Sequence, residues 1–115
     1  MPFDNTNYPE VESQIDRDLR ILRAAREGIS KPGGWCRQLT HPFLTNRHCA
    51  VGWIGAAVGS FEDETLAYAQ SLLELDLPKP YKVVTTYNDN IMKQSTVVRL
   101  FDRAIARLER ERDAK

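Results

Sequence analysis

Residues 33–59 read GGWCRQLTHPFLTNRHCAVGWIGAAVG, and the fold turns on how the second half of this stretch is placed. From Arg47 to Gly59 the chain is apolar on nearly every side, which fits a short helix buried in the middle of the domain better than one on its surface. Asn46 is positioned to cap that 47–59 helix. Gly52, Gly55, Ala56 and Gly59 recur at intervals of three and four, so one stripe is nearly bare and lets another helix approach closely. Each interior glycine costs on the order of 1 kcal/mol against alanine, and packing has to offset that.

Upstream, Lys31-Pro32-Gly33-Gly34 must break a helix, because proline lacks a donor and the glycine pair reaches angles closed to other residues. Trp35 to Asn46 has no clean period, and Pro42 biases His41 toward an extended backbone, so an irregular loop is expected there. Before the break, Asn7-Tyr8-Pro9-Glu10 has the spacing of a helix start, with a capping side chain three residues ahead of a glutamate. That helix should run to about Glu27, with Val11, Ile15, Leu19, Leu22 and Ile29 near the core and Gly28 as a left-handed C-cap. Its other face carries Arg17, Arg20, Arg23 and Arg26 among Glu12, Asp16, Asp18 and Glu27, the pattern of a solvated surface.

Downstream, Ser60-Phe61-Glu62-Asp63 resembles a capping box opening a helix to about Leu75, with Leu66, Ala69, Leu72 and Leu73 buried. Leu77-Pro78-Lys79-Pro80 ends it. Tyr81–Tyr87, YKVVTTY, is rich in β-branched and aromatic residues and is the strand candidate, pairing with an extended piece from 35–45. Asn88-Asp89-Asn90 reads as a turn. Ser95 or Thr96 then caps a last helix whose Val97, Leu100, Phe101, Ala104, Ile105 and Leu108 form the clearest amphipathic stripe in the chain. The expected fold is mainly α, about four helices with a small two-stranded β element, and α+β is the second choice. Residues 1–115 are read as one domain whose ends, 1–6 and 110–115, fray, with the 47–59 helix clasped by the first and last helices.

Composition narrows the function classes. At 115 residues the chain is one ordinary domain, 42% hydrophobic and 28% charged, so it should fold. Sixteen basic and sixteen acidic residues cancel, which argues against a nucleic-acid partner while leaving room for a local patch. No run is apolar enough to span a membrane, and MPFDNTNYPE has no signal-peptide pattern, so a cytoplasmic protein without a membrane partner is expected. Two cysteines are too few for a disulfide scaffold and read as free thiols.

Cys36, His41, His48 and Cys49 are four zinc-ligand types within fourteen residues. Their spacing differs from the short paired ligands of structural zinc sites, and adjacent His48 and Cys49 point apart, so no metal is assigned. Cys49 at a helix start is a candidate nucleophile, since the helix N-terminus favours a thiolate. His41 would be its base and Asn88 or Asp89 the orienting group, with His48 too near in sequence to be favoured. The bland reading of both cysteines is small core hydrophobes. The arginines of the first helix and Arg99, Arg103 and Arg107 of the last would bind phosphates if those helices lay side by side, but the interleaved acids favour a salt-bridged surface. Trp35 and Trp53 either stack on a ligand or fill the space the glycines leave, each indole N–H seeking an acceptor.

Gly34-Trp35-Cys36, Cys49-Ala50-Val51-Gly52, Tyr87-Asn88-Asp89 and Asp102-Arg103-Ala104-Ile105 together resemble the motifs of a family of small bacterial and phage proteins classed as a domain of unknown function. The resemblance spans about residues 17–108 and implies that Trp35, Cys49, Asn88 and Asp89 share one neighbourhood; the compressed 37–47 loop, Trp53 and Gly55 depart from it. The reading that follows is a small non-enzymatic binding or regulatory protein in a phage-related setting, acting through protein contacts. Its binding candidates are Trp35, His41, Asn88 and Asp89, with no cofactor and no metal. The alternative is a cysteine-dependent hydrolase or transferase using Cys49, His41 and Asn88 or Asp89.

Overall fold

In the computed structural model, residues 12–35, 48–84, 87–88 and 93–114 are described. The first helix, α1, is Gln14–Ser30. Glu12 and Ser13 lie outside it, so the helix starts after the Asn7-Tyr8-Pro9-Glu10 signal, which falls outside the described residues. Ser13 is extended and its hydroxyl oxygen accepts the Asp16 N–H at 3.2 Å, giving a cap four residues from the proline expected to open the helix. Leu19, Ile21, Leu22, Ala25 and Ile29 are buried along one face. Gly28 is not the left-handed cap: α1 continues through it to Ser30, and the left-handed glycine is Gly33, with φ 71°, in the following turn.

The second helix, α2, is Ala50–Val58. It starts later than the expected 47–59 helix because Cys49, not Asn46, is the cap, its sulfur accepting the Gly52 N–H at 3.4 Å. Gly59, with φ 90°, ends it and returns its N–H to the Gly55 carbonyl at 2.8 Å. The third helix, α3, is Asp63–Glu74, with Ala69, Leu72 and Leu73 buried and Leu66 half-buried. Ser60 does not close a capping box. Its hydroxyl oxygen takes the Glu62 N–H, and Glu62 occupies the cap position without a side-chain hydrogen bond.

The expected β element is a correction. Val84, Tyr87 and Asn88 have helical backbone, and the Tyr87 N–H donates to the Val83 carbonyl at 3.1 Å, one helical turn back. Val84, Tyr87 and Asn88 sit at i, i+3 and i+4 and all three are buried, so helical burial overrides the β-branched composition of Tyr81–Tyr87. Among the described residues the bridge of β type is a single parallel pair, Trp35 with His48. The last helix, α4, is Gln94–Asp113, with Lys93 at its cap and neither Ser95 nor Thr96 outside it. Val97, Leu100, Phe101, Ala104 and Leu108 are buried as the period requires, while Ile105 is half-buried; the polar residues after Leu108 stay helical to Asp113.

The central element is α1. It packs most extensively on α4 and next on α2; α2 packs on α3, and α3 touches α4 over a smaller area. So α2 lies between α1 and α3 and is not clasped by α4, whose apolar stripe is taken up by α1. Close approach also works differently from the expected glycine stripe. Gly55 faces the Ser60 carbonyl and the Phe61 ring of its own following turn, and Gly28 of α1 makes room for the Trp53 ring of α2. No helix among the described residues is long and apolar enough to cross a membrane.

Candidate functional site

The end of α1, the Gly33-Gly34-Trp35 turn, the start of α2 and Asn88 meet in one place. Gly34 is the pivot: its carbonyl accepts the His48 N–H at 3.1 Å and also the Trp53 indole N–H. A side chain there would run into the Gly28 carbonyl. Across the same turn the Trp35 indole N–H donates to Asn88 Oδ1 at 2.8 Å, and the Ala50 N–H donates to that same oxygen at 3.0 Å. Asn88, only 1% exposed, therefore holds one of the otherwise orphaned donors at the start of α2 and anchors the Trp35 turn to it.

The neighbourhood implied for Trp35, Cys49 and Asn88 exists; His41, Asp89 and Cys36 lie outside the described residues. Cys49 is buried, and its sulfur serves as the α2 cap. His48, set aside in sequence as too close to Cys49, is the described histidine of this region. Its ring stands edge-on to Trp53, with centroids 4.8 Å apart, and lies 5.6 Å from Phe61. Of the four residues weighed for zinc, His48 and Cys49 are described, and no group of three His, Cys, Asp or Glu side chains among the described residues converges for a metal.

Beside this node a cleft of about 420 Å³ opens, lined by Gly28, Lys31, Pro32, Gly33, Gly34, His48 and Trp53. A second, of similar size, lies between Ser30 and the first turns of α4, lined by Ser30, Gln94, Ser95, Val98 and Arg99. Gln94 joins the two regions: its side-chain amide donates to the Ile29 carbonyl and, at 2.7 Å, to that of Lys31. The Ile29 carbonyl is one of the acceptors that a helix C-terminus leaves without partners, while that of Lys31 also accepts the Gly34 N–H at 2.9 Å. Nothing local in the sequence marks Gln94 for this, because its partners are more than sixty residues away.

The arginine stripes do lie side by side, and they are largely occupied. Arg23 pairs with Glu109 at 2.6 Å, Arg26 with Asp102 at 2.7 Å and Arg112 with Asp16 at 3.8 Å, linking α1 to α4. Asp102 in turn holds the Arg26 guanidinium above its ordinary pKa, through their hydrogen bond and their charge. Arg20 is bidentate on Glu12, and that hydrogen bond lowers the Glu12 carboxyl below the usual range. Arg103 and Arg107 cap α3 from outside: Arg107 reaches Asp76 at 2.9 Å and the Leu72 carbonyl at 3.1 Å, and Arg103 the Asp76 carbonyl at 3.3 Å.

Asp18, placed by the sequence reading on the solvated face, is buried and accepts the Tyr68 hydroxyl. Burial, then that hydrogen bond, pushes the Tyr68 phenol up to about 12. The missed signal was its register: Asp18, Leu22, Ala25 and Ile29 fall at i, i+4, i+7 and i+11, which is the core stripe.

No curated protein and no solved structure matches the chain. The family profile described as Family of unknown function (DUF6197) matches residues 15–107, from the first turn of α1 to Arg107 on α4. The chain belongs to that family.

Proposed function

We propose that this is a small non-enzymatic binding or regulatory protein that acts through contacts with a protein partner. One observation supports the reading above the rest: the two described side chains of a cysteine-dependent site, Cys49 and Asn88, are committed to the fold. The Asn88 carbonyl oxygen already accepts two N–H groups, from Trp35 and Ala50, which leaves it poorly placed to orient an imidazole. Cys49 is 4% exposed and its sulfur accepts a backbone N–H of α2, as a small buried cap does. The clefts beside the node, by contrast, offer surface for a partner. The resemblance to bacterial and phage proteins supports seeking that partner in a phage-related setting, inside the cell.

The rival reading keeps Cys49 as nucleophile, His41 as base and Asn88 or Asp89 as orienter, and one experiment separates the two. In a Cys36→Ser background, the alkylation rate of Cys49 is followed against pH in the folded protein. A binding protein gives slow labelling, limited by opening of the fold and unchanged by His41→Ala. Rapid labelling below neutral pH that disappears in His41→Ala would overturn the proposal in favour of the enzyme.

A further inference from the structure

The charge of this chain sums to zero but is unevenly distributed. Residues 28–61 contain Lys31, Arg37 and Arg47 and no aspartate or glutamate; residues 90–101 contain Lys93 and Arg99 and again no acid. The fold brings the described parts of these two segments together, since the Gln94 amide bonds the Ile29 and Lys31 carbonyls. The end of the bundle where α1 finishes and α4 begins therefore carries Lys31, Lys93 and Arg99, all exposed. None of the three makes a salt bridge with a described carboxylate. This sets Arg99 apart from Arg23, Arg26 and Arg107 on the same two helices, each of which has its acid.

The two clefts lie on this basic end, one including Ser30 and the other Lys31, and among the described residues neither is lined by a carboxylate. One offers hydroxyls, an amide and the Arg99 guanidinium; the other offers Lys31 with the rings of Pro32, His48 and Trp53. Unneutralised exposed cations on a neutral molecule attract and orient a partner of the opposite sign, and suppress wrong ones. The rings beside Lys31 suit an apolar side chain carried between acids.

We infer that this end is where the protein partner docks, and that the partner presents an acidic segment with an apolar side chain among its carboxylates. The inference rests on the protein-contact reading and names the face and the chemistry that reading leaves open. Lys31, Lys93 and Arg99 are exposed and make no salt bridge with a described carboxylate, and an acidic segment would complete them as Glu109 and Asp102 complete Arg23 and Arg26.

The test uses the full chain and a fluorescein-labelled peptide, Glu-Glu-Phe-Glu-Glu, with its all-glutamine counterpart Gln-Gln-Phe-Gln-Gln and a 20-nucleotide single-stranded oligo(dT) as comparisons. Anisotropy at 20 and 150 mM salt gives the affinities. The expected result is saturable binding of the acidic peptide, at least tenfold weaker for the glutamine peptide and for Lys31→Glu/Arg99→Glu, and unchanged for Arg110→Glu at the far end of α4. The neutralising pair Lys31→Gln/Arg99→Gln, with thermal melts matching the wild type, shows that any loss comes from charge and not from unfolding. Absence of binding at millimolar peptide, or equal binding by the charge-reversed variant, overturns the assignment. So does tighter binding of oligo(dT) that is lost in the same variant, which would make this end a nucleic-acid surface. Failure here leaves the Cys49 labelling result standing, and a reactive Cys49 leaves this titration standing, so the two proposals fail separately.

Discussion

Asn88 shows how much one buried side chain can hold. Its single carbonyl oxygen satisfies an indole from one turn and a backbone amide at the start of a helix, both reached from far along the chain. Asn88→Ala would leave the buried Ala50 amide and the half-buried Trp35 indole without their acceptor, at up to about 1–3 kcal/mol each. The expected loss, on the order of 2–5 kcal/mol in urea unfolding, should be accompanied by a change in Trp35 emission. A loss under about 1 kcal/mol would show that water replaces the amide. Tyr68 gives a second residue-scale test. Its phenol is held at about 12 in the folded chain, above its ordinary value near 10, so the folded state binds that proton more tightly than the unfolded state. The stabilisation is fully present below about pH 10 and is lost as pH rises toward about 12. Unfolding free energies measured from pH 9 to 12 should fall over that window in the wild type, and much less in Tyr68→Phe.

At the scale of the element, two glycines resist substitution for different reasons. Gly59 ends α2 at φ 90° with open space around it, so alanine there costs only backbone strain, about 1–2 kcal/mol. Gly28 is helical, where alanine would ordinarily help, but a methyl group would overlap the six-membered ring of Trp53. Gly28→Ala should therefore destabilise by about 1–3 kcal/mol. In a Trp53→Ala background the same change should turn neutral or stabilising by up to about 1 kcal/mol, as helix propensity takes over. A double-mutant cycle measures the coupling; additivity of the two changes would mean that α1 and α2 do not meet at this pair. The same contact explains why Gly28, read from sequence as the end of α1, lies inside it: the last turn had to be thin where Trp53 crosses.

For the whole molecule, α1 is the shared wall of the bundle, and the Arg23–Glu109, Arg26–Asp102 and Arg112–Asp16 pairs seal its seam with α4. These pairs are exposed, so each contributes little, about 0–1 kcal/mol, and salt weakens them. Arg23→Gln/Arg26→Gln should cost less than about 2 kcal/mol in low salt, and the difference from wild type should shrink toward zero in 1 M NaCl. A larger, salt-independent loss would mean that the arginine stems pack apolar surface and that their charges are incidental.

Much of this fold was legible in local patterns. The stripe Val97, Leu100, Phe101, Ala104 and Leu108 repeats at the helical period and is the buried face of α4; Ala69, Leu72 and Leu73 do the same for α3. The glycine pair after Lys31 and the glycine at 59 also end helices close to where they were read. These features depend on residues within a turn or two of one another, so the sequence alone determined them. Tyr81–Tyr87 misled because its composition suits a strand while Val84 and Tyr87 are spaced to bury in a helical turn, and Asp18 misled because a charge was allowed to outweigh its register. The tertiary structure alone decided that α2 packs between α1 and α3, that Gln94 closes the end of α1, and that Asn88 ties together partners 53 and 38 residues away. The physical reason is that burial period and capping are local free energies, whereas an acceptor for a distant N–H, or room for a particular indole, exists only after the helices have met.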